Sequence, residues 1–274
     1  MWRLVSALVL APVAIVIAYL GGWPFVGAFA VAAIAILWEW SGLVFGRGEP
    51  RLLAPGIATL VVAAGLAGIG RPALAICATV LGAILAGGAT ALSLPPRHRD
   101  GHPPAWAAAG MIYAGGALLG AAILRGGQQD GFAALLYLFA IVWTTDIGAY
   151  LVGRAAGGPL LWPAVSPKKT WAGAIGGLAG GVAAGTAVAY ASVGTAPLVA
   201  GVLAMMLSIA AQGGDLLESA VKRRFGVKDA SHLIPGHGGV MDRLDGFLVA
   251  ACLAVLIGAL HQEMTQSAQG LLQW

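Results

Sequence analysis

The sequence predicts an all-α polytopic membrane protein of about nine transmembrane helices with its N-terminus in the cytoplasm. Three observations carry that prediction. Hydrophobic residues fill 59% of the 274 positions, and the mean hydropathy is +0.87. Only 9% of residues are charged, where a soluble domain carries about a quarter. The apolar sequence also falls into runs of the roughly 20 residues that a helix needs to cross the hydrocarbon, with the ionisable residues gathered between them. Soluble folds are thereby excluded. Glycine at 42 positions suits helices that approach closely in lipid. Cys77 and Cys252 lie inside apolar runs with no pairing pattern and read as small core residues.

The runs, taken in order, are 4–20, 24–44, 52–69, 72–92, 105–124, 131–152, 170–192, 196–217 and 244–262. The first is too long for the apolar core of a signal peptide and no small-residue cleavage site follows it, so it reads as a spanning helix. The second carries Glu39 between Trp38 and Trp40, a pattern of an interfacial element. The third and fourth are split only by Gly70-Arg71-Pro72. The fifth follows the loop Arg97-His98-Arg99-Asp100-Gly101-His102, which reads as a solvated basic loop. The sixth contains Asp146, an ionisable group at membrane depth, which is costly and defaults to function; the plainer alternative is a structural pair with a cation of another helix. The seventh follows Ser166-Pro167-Lys168-Lys169-Thr170-Trp171-Ala172-Gly173, whose two cations could bind phosphate or anchor at the headgroups. The eighth ends at Asp215 and Glu218, and the ninth begins at Asp242 and Asp245.

Orientation follows from Lys and Arg, which favour the cytoplasmic side. With the N-terminus inside, all of them except Arg71 and Arg125 fall on the inner face, and a shift of the helix count by one would destroy the sorting. The large loops, 153–169 and 218–243, are then cytoplasmic. The chain reads as a single integral membrane domain over 1–274, with N-terminal helices in 1–104 and catalytic helices and cytoplasmic loops in 105–274. No feature points to a nucleic-acid partner.

Residues 219–245 hold Lys222, Arg223, Arg224, Lys228, Asp229, His232, His237, Asp242, Arg243 and Asp245, a density found nowhere else in the chain. Asp215, Ser219 and Lys222 follow at steps of four and three and share a helix face, as do Asp242 and Asp245. Carboxylates gathered at a low-dielectric boundary repel unless a cation lies between them, and Mg2+ suits such a site. Membrane-edge salt bridges to Arg223, Arg224 and Arg243 are the alternative on spacing alone. Pro235-Gly236-His237-Gly238-Gly239 precedes the ninth helix, and glycine-rich backbone at a helix start turns N–H groups towards an anion. Cations, a metal and phosphate-binding backbone together read as phosphoryl or nucleotidyl transfer. His237 is a candidate proton carrier or phosphate donor, with loop packing as the alternative; His232 reads as structural.

This stretch resembles the signature of the phosphatidate cytidylyltransferase (CDP-diacylglycerol synthase) family. Its fixed positions are met by Ser219, Val221, Lys222, Arg223, Lys228, Asp229, Ser231, Ile234, Pro235, His237, Gly238, Gly239, Val240, Asp242, Arg243, Leu244 and Asp245. The segments Asp146–Tyr150 and Ser166–Thr170 are similar to that family too. The resemblance implies that CTP and phosphatidic acid give CDP-diacylglycerol and pyrophosphate. It implies Mg2+, with a monovalent cation such as K+ left open, a lipid-bilayer setting in the cell inner membrane, and a homodimer. On that reading Asp215, Asp242 and Asp245 surround the metal. Lys222, Arg223, Lys228 and Arg243 neutralise phosphates, and His237, Gly238 and Gly239 hold phosphate. Ser219, Asp229, Asp146, Lys168 and Lys169 complete the expected substrate site. Two rival readings are a CTP-dependent lipid kinase and a transporter with a midplane polar site.

Overall fold

The computed structural model describes residues 2–46, 49–93, 103–126, 130–233 and 238–274, with side chains described from Leu10 onward except that of Arg51. The basic loop Arg97–His102, Arg47, the signature residues Ile234, Pro235 and His237, and Gly236 between them lie outside the described residues.

Helices dominate: α1 Trp2–Leu20, α2 Gly22–Phe45, α3 Pro50–Gly68, α4 Pro72–Ser93, α5 Pro103–Gly126, α6 Gly131–Ala156, α7 Trp171–Val193, α8 Pro197–Arg224, α9 Met241–His261 and α10 Ser267–Leu272. Each of the nine apolar runs coincides with one of α1 to α9. Among the described residues, seven of these helices (α2 and α4 to α9) are long and apolar enough to cross a membrane, while α1 and α3 offer shorter apolar stretches. Large apolar side chains are turned outward throughout, with Leu92 at 88% and Leu198 at 80% exposure. That is the pattern of helices whose outer solvent is lipid. Cys77 and Cys252, expected inside, are both exposed. In a run apolar on every face, hydropathy cannot separate a lipid-facing position from a neighbour-facing one.

Three elements depart from the hydropathy reading. Helix α8 continues to Arg224, well past residue 217, where the apolar run ends. Its last turn holds Lys222, Arg223 and Arg224, cations that favour a helix C-terminus. Between α6 and α7 the chain forms a short antiparallel hairpin, β1 Leu160–Trp162 and β2 Ser166–Thr170, with Leu160 opposite Thr170 and Trp162 opposite Ser166. Thr170 then caps α7, its Oγ1 accepting Gly173 N–H at 3.1 Å. After α9 a 3-10 turn, Met264–Gln266, leads into α10.

The chain divides into two compact units. The first comprises 1–122 with 225–243, the second 123–224 with 244–274, so the boundaries cut α5 and α9. The first unit is organised around Trp40, 3% exposed. Its ring lies 5.3 Å from that of Tyr113 and 6.1 Å from that of Trp106, and its Nε1 donates to Trp106 O at 2.9 Å. Gly110 makes room for it, since a side chain there would strike the indole.

The second unit is organised by a glycine stripe on α7. Gly173, Gly177, Gly181 and Gly185 recur every four residues and are all buried, while Ile175 and Tyr190 on other faces are exposed. A Cβ on Gly173 or Gly177 would strike the backbone oxygen of Ala149 or Thr145, and on Gly185 the side chain of Ile141. Glycine thus brings α7 into backbone contact with α6, the small-residue packing that substitutes for a hydrophobic driving force in lipid. At the same crossing, Thr145 Oγ1 and Ser208 Oγ share a buried hydrogen bond of 2.8 Å that ties α6 to α8.

Candidate functional site

A pair of glycines builds the acidic site. On α8, Gly214 precedes Asp215; on α9, Gly246 follows Asp245. A Cβ on Gly214 would lie 2.6 Å from Asp245 O, and one on Gly246 would lie 2.9 Å from Ala211 O. The two backbones touch there because neither residue carries a side chain. That contact brings Asp215 and Asp245 together, and Glu218, one turn further along α8, joins them. One ligand oxygen from each of the three lies within 4.8 Å of the others. Glu218 is buried; Asp215 and Asp245 are half-buried.

Three carboxylates so close repel strongly. At an effective dielectric constant of about 20, two unit charges 4.8 Å apart cost about 3–4 kcal/mol. Cations offset part of this. Lys169, delivered by β2, pairs with Asp215 Oδ2, each side chain about a third exposed. Lys222 Nζ lies 2.6 Å from Glu218 Oε2 as an i,i+4 pair with side chains 10% and 1% exposed. Asp245 Oδ1 accepts the Gly246 N–H at 2.7 Å, and Asp146 of α6 lies within electrostatic range of Asp245. The donor set is hard oxygen only, the chemistry that suits Mg2+ rather than a softer metal.

The family resemblance implies Asp215, Asp242 and Asp245 around a metal. Asp215 and Asp245 meet, and Glu218 completes the group. Asp242 belongs to the first unit, where its Oδ2 accepts Gly239 N–H at 2.7 Å and Ala230 N–H at 3.1 Å. Glu218 carried a signal in the sequence: three residues from Asp215 and four from Lys222, it had to share their face.

The first unit holds the other half of the signature. Glu39 on α2 accepts three hydrogen bonds: Ser231 Oγ at 2.6 Å and Val240 N–H at 2.8 Å on Oε1, and Met241 N–H at 2.7 Å on Oε2. It is 1% exposed, so the interfacial reading of Glu39 is corrected. Its neighbour Trp38 is the exposed one, at 47%, because successive helix positions point about 100° apart. An ionisable group inside an apolar run was the signal for Glu39, and the flanking tryptophans masked it.

The glycines of the signature acquire a physical reason here. Gly238 has φ +82°, a conformation that residues with a Cβ rarely adopt. A Cβ on Gly239 would overlap the Glu39 carboxylate. Within the glycine-rich segment expected to face an anion, the Gly239 N–H faces Asp242, and the following N–H groups of Val240 and Met241 face Glu39. Of the remaining expected residues, Ser219 is half-buried on α8, and Arg223, Lys228, Asp229, Arg243, Asp146 and Lys168 are exposed.

Known proteins resemble this chain along most of its length. The sequence profile of the cytidylyltransferase family matches residues 1–261. A phosphatidate cytidylyltransferase of Brucella suis is 42% identical over 261 residues, covering 95% of this chain and 94% of the relative. That of Brucella melitensis matches to the same extent. A phosphatidate cytidylyltransferase of Staphylococcus haemolyticus is 43% identical over 122 residues, 44% of this chain and 47% of the relative.

Proposed function

Because the chain belongs to the cytidylyltransferase family, we propose that it transfers the cytidylyl group of CTP to phosphatidic acid, releasing CDP-diacylglycerol and pyrophosphate. The observation that carries this reading to the level of chemistry is the Asp215, Glu218 and Asp245 trio flanked by Lys169 and Lys222. Acidic groups for a divalent cation beside cations for phosphate are what an attack of one anion on another requires.

An oxygen of the phosphatidate phosphate attacks the α-phosphorus of CTP, a new P–O bond forms, and the bond to the β-phosphate breaks. Nucleophile and electrophile both carry negative charge, so the barrier is largely electrostatic. Asp215, Glu218 and Asp245 would hold Mg2+, which when bound supplies positive charge at the phosphate oxygens. Asp242 stays among the proposed metal carboxylates by its place in the signature, three residues before Asp245. A carboxylate has two oxygens, so serving Gly239 and Ala230 through Oδ2 is compatible with such a role. Lys222, Arg223, Lys228, Arg243, Lys168 and Lys169 neutralise triphosphate and lipid phosphate, with Ser219, Asp229 and Asp146 as further substrate contacts. Gly238 and Gly239 shape the phosphate-binding segment, and His237 carries a proton or a phosphate contact.

The proposal includes nine membrane crossings with the N-terminus and the active site on the cytoplasmic side of the inner membrane, supported by the sorting of Lys and Arg. It also includes a homodimer, implied by the family resemblance alone. The acyl chains then stay in the bilayer while the headgroup reaches the site.

The test is product analysis with purified protein, Mg2+, phosphatidic acid and CTP. Lipid-dependent formation of CDP-diacylglycerol with one pyrophosphate per turnover is the expected result, and chelation with EDTA should abolish it. Release of CDP would instead identify γ-phosphoryl transfer and overturn the reading, as would failure of the lipid to incorporate cytidylate.

A further inference from the structure

Two carboxylates join the same two stretches of the signature. Asp242 accepts from Ala230 on one side and Gly239 on the other. Glu39 accepts from Ser231 on one side and from Val240 and Met241 on the other. Asp242 is itself part of the signature. Glu39 is not: it comes from α2, nearly two hundred residues earlier. A carboxylate buried to 1% exposure is tolerated only when its oxygens are hydrogen-bonded. Here all three donors come from the signature, and Gly239 lacks the Cβ that would displace the carboxylate.

We propose that Glu39 is a positioning residue for cytidylyl transfer: by fixing Ser231 against Val240 and Met241 it sets the affinity of the site for CTP. This rests on the reading above, in which the signature residues bind the nucleotide's phosphates. Glu39 acts through the backbone and touches no group that reacts. Its effect is on the fraction of molecules whose signature is arranged to bind. When that fraction falls, the apparent dissociation constant rises in proportion. The carboxylate is specifically required because it presents two acceptors. In Glu39→Gln one of the two oxygens becomes an NH2 group that faces a donor. The side chain keeps its size, so packing is retained while one or two of the three bonds are lost.

The experiment compares full-length wild type, Glu39→Gln, Ser231→Ala and the double variant in nanodiscs. It measures equilibrium CTP binding, KM for CTP, kcat, amide exchange at Val240 and Met241, and thermal stability. Each hydrogen bond to a charged group is worth about a tenfold change in an equilibrium. Glu39→Gln is therefore expected to weaken CTP binding and raise KM for CTP about tenfold. Exchange at Val240 and Met241 should quicken while Tm stays near wild type. Ser231→Ala should have a smaller effect, and the double variant less than the product of the two, since both act on one cluster. Unchanged CTP affinity and KM in Glu39→Gln, beside a wild type that binds CTP, overturn the proposal alone. A lowered Tm with unchanged affinity per folded molecule overturns it too, because the role would then be purely structural. A wild type that does not bind CTP overturns the reading of the site, and the proposal with it.

Discussion

Glu218 and Lys222 show how much a single buried pair contributes, and they set the first prediction. Their side chains are 1% and 10% exposed with 2.6 Å between charged atoms. Removing one partner strands the other charge in a low dielectric, which costs about 3–5 kcal/mol, whereas replacing both is often close to neutral. Lys222→Met, which leaves Glu218 facing Asp215 and Asp245 without its cation, should lower the thermal midpoint measured in detergent micelles, and Glu218→Gln, which also relieves that repulsion, should lower it less. The double variant should recover most of the loss while remaining inactive. Full additivity of the two losses would show that the charges do not interact. The contrast is Lys169 with Asp215, each about a third exposed. Solvent screens that pair to at most about 1 kcal/mol, so Lys169→Met should leave the midpoint nearly unchanged while turnover falls. Much at this scale was legible in the sequence: Asp215 and Asp245 stood out by charge and spacing. The partners of Glu39 were not, because the donors at Ser231, Val240 and Met241 lie far away in the sequence, and no local pattern links them. The contact that keeps Gly239 free of a side chain is hidden for the same reason, since the Glu39 carboxylate lies on another helix.

At the level of elements, close helix approach decides where the carboxylates stand. Gly214 and Gly246 let α8 and α9 touch backbone to backbone, and Asp215 and Asp245 are their chain neighbours. Gly214→Ala would place a methyl group 2.6 Å from Asp245 O and 2.9 Å from Val249 Cγ2, both too near for a carbon atom, so the helices must separate. The acidic trio would widen with them. Displacing ligands in this indirect way typically costs about 10–100-fold in metal affinity. The Mg2+ concentration for half-maximal activity should therefore rise by about that factor. Insertion into membranes should remain normal, because helix hydropathy is untouched. An unchanged Mg2+ requirement would mean that the trio does not hold the ion. Hydropathy located α1 to α9 well, since each needed a long apolar run. It missed the β1–β2 hairpin because strands of three and five residues leave no periodic signal. It also ended α8 early because charge, not loss of helix, begins at Asp215.

For the whole molecule the open question is the path through the bilayer, and one residue decides between two layouts. Seven helices meet the length and hydropathy needed to cross among the described residues, while the described apolar stretches of α1 and α3 are Leu10–Leu20 and Leu52–Gly68. If only those seven cross, the segment between α2 and α3 faces outward. If α1 and α3 cross as well, that segment faces the cytoplasm. It carries Arg47 and Arg51, and short loops with such cations favour the cytoplasmic side. Only the nine-crossing layout therefore gathers the cations on one face, leaving Arg71 and Arg125 opposite. Pro50 lies between those arginines and is exposed. In a background with Cys77 and Cys252 replaced by Ala, Pro50→Cys should react with a membrane-impermeant maleimide only from the cytoplasmic side. Lys168→Cys should do the same and Arg71→Cys the reverse, and both controls have the same sidedness in either layout. Labelling of Pro50→Cys from outside, with the controls as stated, would reduce the crossings to seven. Under the proposed orientation the acidic trio keeps its side in either layout, because α4 to α9 cross in both and fix the side of α8's C-terminus and α9's start.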